Sequence, residues 1–327
     1  MTDTPTVSVL VTTYNHAPFV RECLESLAAQ TTRDFEAIIT DDASTDGTGD
    51  LIEAWLAERR FPARFIRNPT NRGLCANRNA ALALARGRFI CSLAGDDAYE
   101  PTRIAQQAAF LDRAPAHVAM VYSDMHQVDA AGRRLALSFF DYHFAGNAPP
   151  EGDVFQRMLR GAFIPSPATM VRRSAIDAVG LYDETLFYED YDMWLRMCRR
   201  FHAACLPEPL VRYRVLPSSM SHSFHTRRAM LESTARVLES WRGRTLPEAE
   251  CDRLRHLARI ELLLGRDRAA RQKLIQAARH SGLLRLRLRA HLLGLPGICH
   301  IARLIAKLRH GLRQTSIAYL WPRIAPR

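Results

Sequence analysis

Over the first 125 residues, short apolar runs alternate with helix-period patterns. Val7-Ser8-Val9-Leu10-Val11 is rich in β-branched residues and predicts a buried strand ending in the polar turn Thr12-Thr13-Tyr14-Asn15. Phe19, Val20, Cys23, Leu24 and Leu27 then recur at helical spacing, so one apolar face runs from about residue 17 to 29. Phe35 to Thr40 predicts the second strand, and Ser44 or Thr45 can cap a helix carried by Leu51, Ile52, Trp55 and Leu56. Ala63 to Arg67 predicts a third strand, Leu74 to Ala85 an alanine-rich helix, Arg88 to Leu93 a fourth strand and Val118 to Tyr122 a fifth. Pro101 suits the first turn of the helix between the last two. Strands alternating with helices imply a mostly parallel sheet with right-handed crossovers, an α/β class of Rossmann type. No G-x-G-x-x-G follows the first strand, which argues against a dinucleotide cofactor.

From about residue 126 to 224 the pattern changes to more aromatic residues, prolines and loops. Val154 to Leu159 and Asp192 to Cys198 predict helices, and Leu210 to Leu216 a strand. From His225 onward the periodicity is helical, interrupted at Gly243, Pro247, Gly265, Gly282 and Leu295-Pro296-Gly297. The expected organisation is an α/β domain over 1–224, with an alternating half over about 1–125 and a loop-rich half over about 126–224, followed by a basic helical region over 225–327.

Charge sharpens that boundary. Residues 1–224 carry 23 Arg against 27 acids, and 225–327 carry 22 Lys and Arg against 7 acids, with no acidic residue after Asp267. The tail therefore reads as a separate basic module. Leu283 to Arg289 alternates leucine with arginine, Ile298 to Leu312 is amphipathic, and Trp321 lies near the end. Such a segment can lie on an anionic bilayer, so residues 283–321 are a candidate membrane surface; a packed helical extension is the alternative. Nucleic acid fits less well, because no aromatic-basic interleaving or named motif appears.

The remaining composition excludes more than it assigns. At 47% hydrophobic and 24% charged residues the chain is an ordinary globular protein. Its seven scattered cysteines predict buried free thiols rather than a disulfide framework or zinc site. No run of 18 apolar residues and no export signal occurs, so the expected place of work is the cytoplasm, with peripheral contact to the inner face of the membrane.

Three acidic pairs carry the candidate chemistry: Asp41-Asp42, Asp96-Asp97 and Glu189-Asp190. The first two follow predicted strands, at the edge where open α/β sheets bind ligands. Two such pairs on neighbouring strands can hold a metal ion and a polar ligand together, an arrangement suited to a nucleoside diphosphate. Helix capping and Asx-turns are the plain alternatives for both. For Glu189-Asp190 the alternative is favourable charge at a helix N-terminus.

With those residues in view, the chain resembles glycosyltransferase family 2. Val7 to Asn15 followed by Asp41-Asp42-Ala43-Ser44-Thr45-Asp46-Gly47-Thr48 looks like the family's opening, and Asn71-Arg72-Gly73 with Ala76-Asn77-Arg78-Asn79 is similar to its next block. Leu93-Ala94-Gly95-Asp96-Asp97 resembles its metal-binding turn, and Glu189 to Arg196 its catalytic-base block. The four blocks occur in the family's order over roughly residues 5 to 215. The resemblance implies a GT-A fold, a nucleotide-sugar donor, a divalent cation (Mg²⁺ or Mn²⁺) and inversion at the anomeric carbon. It places Asp190 as catalytic base, with Glu189 and Asp192 as helpers at most, and Asp96 and Asp97 at the metal. Thr12, Tyr14, Asp41, Asp42, Arg78 and Asp96 fall on the nucleotide sugar, Asp42 reading a uracil or thymine imide N–H. Arg72, Arg214, Ser218 to Ser221 and His222 lie near the diphosphate in this scheme, and Phe163 to Pro167 near the acceptor. Ala94 departs from the pattern, since many members carry an Asp there.

The expected reaction moves a single sugar from a UDP- or dTDP-sugar to a hydroxyl of a cell-surface polysaccharide or lipid-linked glycan. A nucleotidyltransferase is disfavoured by the lack of a basic, glycine-rich loop after the first strand. A catalytically inactive scaffold gains slight support from Ala94 and is opposed by Asp190.

Overall fold

A computed structural model describes residues 4–217, 219–220, 224–281, 290 and 293. The candidate membrane segment 283–321 apart from residues 290 and 293, together with Ser218, Ser221 and His222, thus lies outside the described residues. The chain divides into two compact units. The first comprises Met1–Val154 with Ile164–Val215, the second Phe155–Phe163 with Leu216–Arg327.

The first unit is built on one nine-stranded sheet. Its parallel half consists of β1 (Val7–Thr13), β2 (Phe35–Asp41), β3 (Ala63–Arg67) and β4 (Phe89–Ala94), in spatial order β3-β2-β1-β4. β1 is central, and Val7, Val9, Leu10 and Val11 are fully buried. Each such side chain contributes roughly 1.5–3 kcal/mol of burial, which fixes the strand before any polar contact is counted. Helix α1 (Val20–Ala28) turns Val20, Cys23, Leu24 and Leu27 onto this sheet, the face that the sequence periodicity predicts.

Helix α2 (Thr48–Arg59) differs from expectation at its start. It begins after Gly47, which adopts φ +92°, a left-handed conformation that costs glycine little. Asp46 accepts the Thr48 N–H at 3.0 Å, so neither Ser44 nor Thr45 is needed as a cap. Ile52 and Trp55 face inward while Leu51 stays exposed. Helix α3 (Leu74–Leu84) and the two-residue strand β5 (Ala98–Tyr99) follow. Pro101 then precedes α4 (Arg103–Arg113) by two residues rather than opening its first turn.

The other half of the sheet is mixed. β6 (Val118–Val128) extends six residues beyond the predicted Tyr122, and β7 (Arg134–Ser138) folds back on it before α5 (Phe139–Phe144). β8 (Thr169–Arg172) inserts antiparallel between β4 and β6. β9 (His202–Arg214) pairs parallel with β6 along its length and antiparallel with β5. Because β8 opposes both neighbours, β6 and β9 run in the direction of the first four strands. The carboxyl ends of β1, β2, β4, β6 and β9 therefore share one edge.

The second unit is helical: α6 (Phe155–Arg160), α9 (Phe224–Ser240), α10 (Pro247–Leu263) and α11 (Asp267–Ser281). Two helices of the first unit, α7 (Arg173–Val179) and α8 (Asp190–Cys198), precede α9 in the chain. Gly243 and Gly265 take positive φ between the long helices, and Pro247 opens α10, at the predicted interruptions. Cys251, Leu254, Ala258, Leu274, Ala277 and Ala278 form its core. Arg253 is buried there, held by Glu250 and by the Leu238 carbonyl at 2.8 Å; this pairing offsets its desolvation. Among the described residues no helix is long and apolar enough to cross a membrane.

Candidate active site

The first acidic pair divides its labour. Asp41 is fully buried at the end of β2. It accepts the Thr13 hydroxyl at 2.8 Å, the Ser44 hydroxyl at 2.5 Å and the Ser44 N–H at 3.1 Å. These donors tie β1 to the turn after β2, so the contacts of Asp41 are internal rather than those of a ligand group. Asp42 beside it accepts the backbone N–H of Arg72 at 2.7 Å and of Gly73 at 2.9 Å, and the Asn68 amide at 3.2 Å. Gly73 has φ +83° as it turns into α3, a conformation that disfavours any side chain. A carboxylate offers about four lone-pair sites, so three filled leave Asp42 one acceptor to spend. Next to it on β1, the Thr12 hydroxyl is buried and has no hydrogen-bond partner among the described residues. Tyr14 stands 48% exposed at the mouth of the same turn.

The second pair follows β4. The Gly95 N–H returns to the Thr12 carbonyl at 3.0 Å, and a Cβ at Gly95 would stand 2.6 Å from Thr13 Cγ2 and 2.7 Å from His16 Nδ1. Only glycine lets the turn come this close to β1. Asp96 is partly exposed, whereas Asp97 is buried, with one oxygen accepting the Arg214 N–H at 2.8 Å. Burial, and then the neighbouring Asp96 charge, push the Asp97 carboxyl well above the usual range; Arg214 opposes both. A carboxylate so destabilised as an anion is one that a divalent cation would relieve. Two hard oxygen donors on one turn fit Mg²⁺ or Mn²⁺, which complete their shells with phosphate and water. Among the described residues, no group of three or more His, Cys, Asp and Glu side chains is arranged to hold a metal by itself.

Arg214, at the end of β9, is turned into the protein's own framework. It is 2% exposed, donating to the Asp96 carbonyl at 2.9 Å, the Asp129 carbonyl at 2.8 Å and the Ala130 carbonyl at 3.1 Å. It also pairs with Glu22 and lies over the Phe19 ring. This guanidinium is a strut beneath the Asp96-Asp97 turn. Sequence patterning misses both the strut and Glu22, because the contacts join residues 84 to 192 positions apart.

The third pair opens α8. Glu189 is buried, accepts the Ser166 hydroxyl at 3.1 Å and lies 3.9 Å from Arg78. Asp190 is partly exposed, and desolvation followed by the Glu189 charge pushes its carboxyl up to about 8. Asp192 is bound to Arg196 at 2.8 Å within the same helix. Arg78 is 4% exposed, and its visible partners are the Leu10 carbonyl at 3.4 Å and Glu189, with Nε unpartnered among the described residues. Its neighbours on α3 act likewise: Asn79 exchanges hydrogen bonds with the Tyr182 backbone at 2.9 and 3.0 Å, and Cys75 reaches the Leu186 carbonyl. The Ala76-Asn77-Arg78-Asn79 block therefore fastens the segment that leads into Asp190. Arg72 contributes its backbone N–H to Asp42, and its side chain is exposed.

Comparison with known proteins identifies the family and the fold. The glycosyl transferase family 2 model matches residues 8–180. EpsE of Bacillus subtilis (strain 168), named as a glycosyltransferase, is 32% identical over 218 residues, 65% of this chain and 74% of EpsE. An uncharacterized glycosyltransferase of Methanocaldococcus jannaschii is 26% identical over 249 residues, 74% of this chain and 81% of the relative. Among solved structures, S. aureus TarS 1-349 in complex with UDP-GlcNAc superposes with a TM-score of 0.69 at 22% identity, covering 94% of this chain and 92% of that one. The mannosyltransferase PcManGT from Pyrobaculum calidifontis, in complex with GDP-Man and Mn²⁺, gives a TM-score of 0.60 at 18% identity, covering 94% and 88%. The fold is thus the GT-A fold that the sequence resemblance implies. With its family model matching more than half its length, the chain belongs to glycosyl transferase family 2.

Proposed function

We propose that the chain is an inverting glycosyltransferase that moves one sugar from a UDP- or dTDP-sugar to a hydroxyl of a cell-surface polysaccharide or lipid-linked glycan. One observation carries the reading. Asp42 and the Asp96-Asp97 turn lie at one sheet edge, and α3 fastens Asp190 to that same β1 framework through Arg78 and Glu189. The first unit is then the catalytic domain.

Asp42 would accept the imide N–H of the base with its remaining lone pair, while Tyr14 offers a ring and Thr12 a hydroxyl beside it. Asp41 and Arg78 hold the framework instead of the nucleotide. Asp96 and Asp97 would hold Mg²⁺ or Mn²⁺, which when bound neutralises the diphosphate as it leaves. Asp190 would take the proton of the acceptor hydroxyl. That oxygen bonds to the anomeric carbon as the sugar–phosphate C–O bond breaks, and the nucleoside diphosphate departs with the electron pair. A base pushed up to about 8 is matched to proton transfer near neutral pH. The UDP-GlcNAc bound to TarS and the GDP-Man bound to PcManGT support a nucleotide-sugar donor.

The test is release of UDP, dTDP or GDP from a panel of nucleotide sugars, with and without Mn²⁺ and with glycan acceptors. Metal-stimulated release that requires Asp190 supports the reading, and release that survives Asp190→Asn refutes the mechanism. We also propose peripheral membrane contact through residues 283–321, supported by the acid-free sequence after Asp267. Flotation of the full chain with anionic but not zwitterionic vesicles is the expected result, and equal behaviour with both contradicts it.

A further inference from the structure

The turn after β1 fixes a histidine that the sequence patterns did not single out. Asn15 takes φ +56°, its N–H donates to the Ser44 hydroxyl at 2.9 Å, and its side-chain oxygen accepts the Thr45 N–H at 2.9 Å. The next N–H, that of His16, donates to the Thr48 hydroxyl at 2.9 Å, and Thr48 in turn donates to Asp46 at 2.6 Å. The backbone of His16 is thereby anchored on both sides. Its ring lies against Gly95, close enough that a Cβ there would meet Nδ1 at 2.7 Å.

The two ring nitrogens have different surroundings. Nδ1 is buried and has no hydrogen-bond partner among the described residues. Nε2 lies 3.9 Å from Asp96 Oδ1, and the side chain keeps 22% of its surface exposed. In neutral imidazole one nitrogen donates and the other accepts. A proton on Nδ1 would make a buried donor with nothing to bond, which forfeits its hydration without return. A proton on Nε2 instead points at the carboxylate side of the site.

The gap of 3.9 Å is too long for a direct hydrogen bond but suits two that meet at one intervening oxygen. That oxygen must accept from Nε2–H and donate to the Asp96 carboxylate. A phosphate oxygen cannot donate; a water or an alcohol does both, and of these only the alcohol belongs to the donor. Resting on the nucleotide-sugar reading above, we infer that His16 Nε2 and Asp96 together bind a ribose hydroxyl of the donor. His16 is thus a further donor-binding residue.

The experiment is titration calorimetry with Mn²⁺. It uses whichever of UDP, dTDP and GDP the wild-type chain binds tightest, together with that nucleotide's analogues lacking the 2′- or 3′-hydroxyl. Glutamine can bring an amide N–H to the place of Nε2, while asparagine reaches only to Nδ1. His16→Asn is therefore expected to weaken the nucleotide about tenfold and His16→Gln to restore most of that loss, with thermal unfolding unchanged. The penalty of His16→Asn should vanish for one of the deoxy analogues. A penalty that is the same for every analogue, or that Gln fails to relieve, overturns the assignment. Nitrogen-15 NMR of the ligand-free protein should show the proton on Nε2, and a proton on Nδ1 would also overturn it. If the wild-type chain binds none of the three nucleotides, the donor reading itself fails; normal binding by His16→Asn sinks only the inference drawn here.

Discussion

Asp190→Asn should make the protein less active and more stable at once. The carboxyl titrates near 8 in the folded chain and near 3.8 when unfolded. The unfolded state therefore releases its proton first, and native stability falls as pH rises from about 4 to about 8, then levels. At about 1.4 kcal/mol per pH unit, an uncharged asparagine should gain up to about 2 kcal/mol over wild type at pH 5 and about 4 kcal/mol at pH 7. Transfer should meanwhile drop by about 10²–10⁴-fold, the usual worth of a positioned base. Urea unfolding of both chains from pH 5 to pH 8, beside steady-state transfer, reads both effects. An advantage for Asn that is absent, or that shrinks as pH rises, would falsify the desolvated-carboxylate account. Retained transfer would remove Asp190 from the chemistry.

The same group predicts that wild-type kcat/KM climbs with pH toward about 8 and flattens above, because the base must be unprotonated in the free enzyme; a flat profile from pH 5.5 to 8 contradicts it. Gly95→Ala should destabilise the chain by about 1–3 kcal/mol and weaken Mn²⁺-dependent nucleotide binding, since its Cβ would press on Thr13 and His16. Unchanged melting would show that the turn yields. Arg214→Met should cost about 3–5 kcal/mol, since it strips the Asp96, Asp129 and Ala130 carbonyls and Glu22 of a buried donor. Its Mn²⁺ affinity, read by electron paramagnetic resonance, should fall; normal metal binding would deny the strut its role.

The parallel half of the fold was legible because β1, β2 and β4 are mainly apolar runs bounded by turns, and α1 has one clean apolar face. The mixed half was not. β5 has two residues, β8 has four, and β8 gains its place only by pairing with β4 and β6 from far away in sequence. Local patterning holds no information about such a partner. The candidate acids were legible as types but not as roles. Asp41 and Asp42 are adjacent and chemically identical, yet Thr13 and Ser44 surround one while the loop from Asn68 to Gly73 wraps the other. The resemblance assigns Arg78 and Arg214 to the donor, and no local pattern shows that both are buried links within the framework. His16 gave no signal at all, since its meaning rests on a 3.9 Å approach to Asp96.

The central claim is that the Asp42 and Asp96-Asp97 edge is a metal-assisted nucleotide-sugar site. Calorimetric titration of UDP, dTDP and GDP into the wild-type chain and Asp97→Asn, with and without Mn²⁺, tests it most directly. Mn²⁺ is expected to tighten at least one of the three by about tenfold or more in wild type, and Asp97→Asn to abolish the gain. Binding that is indifferent to metal, or to the loss of Asp97, would contradict it.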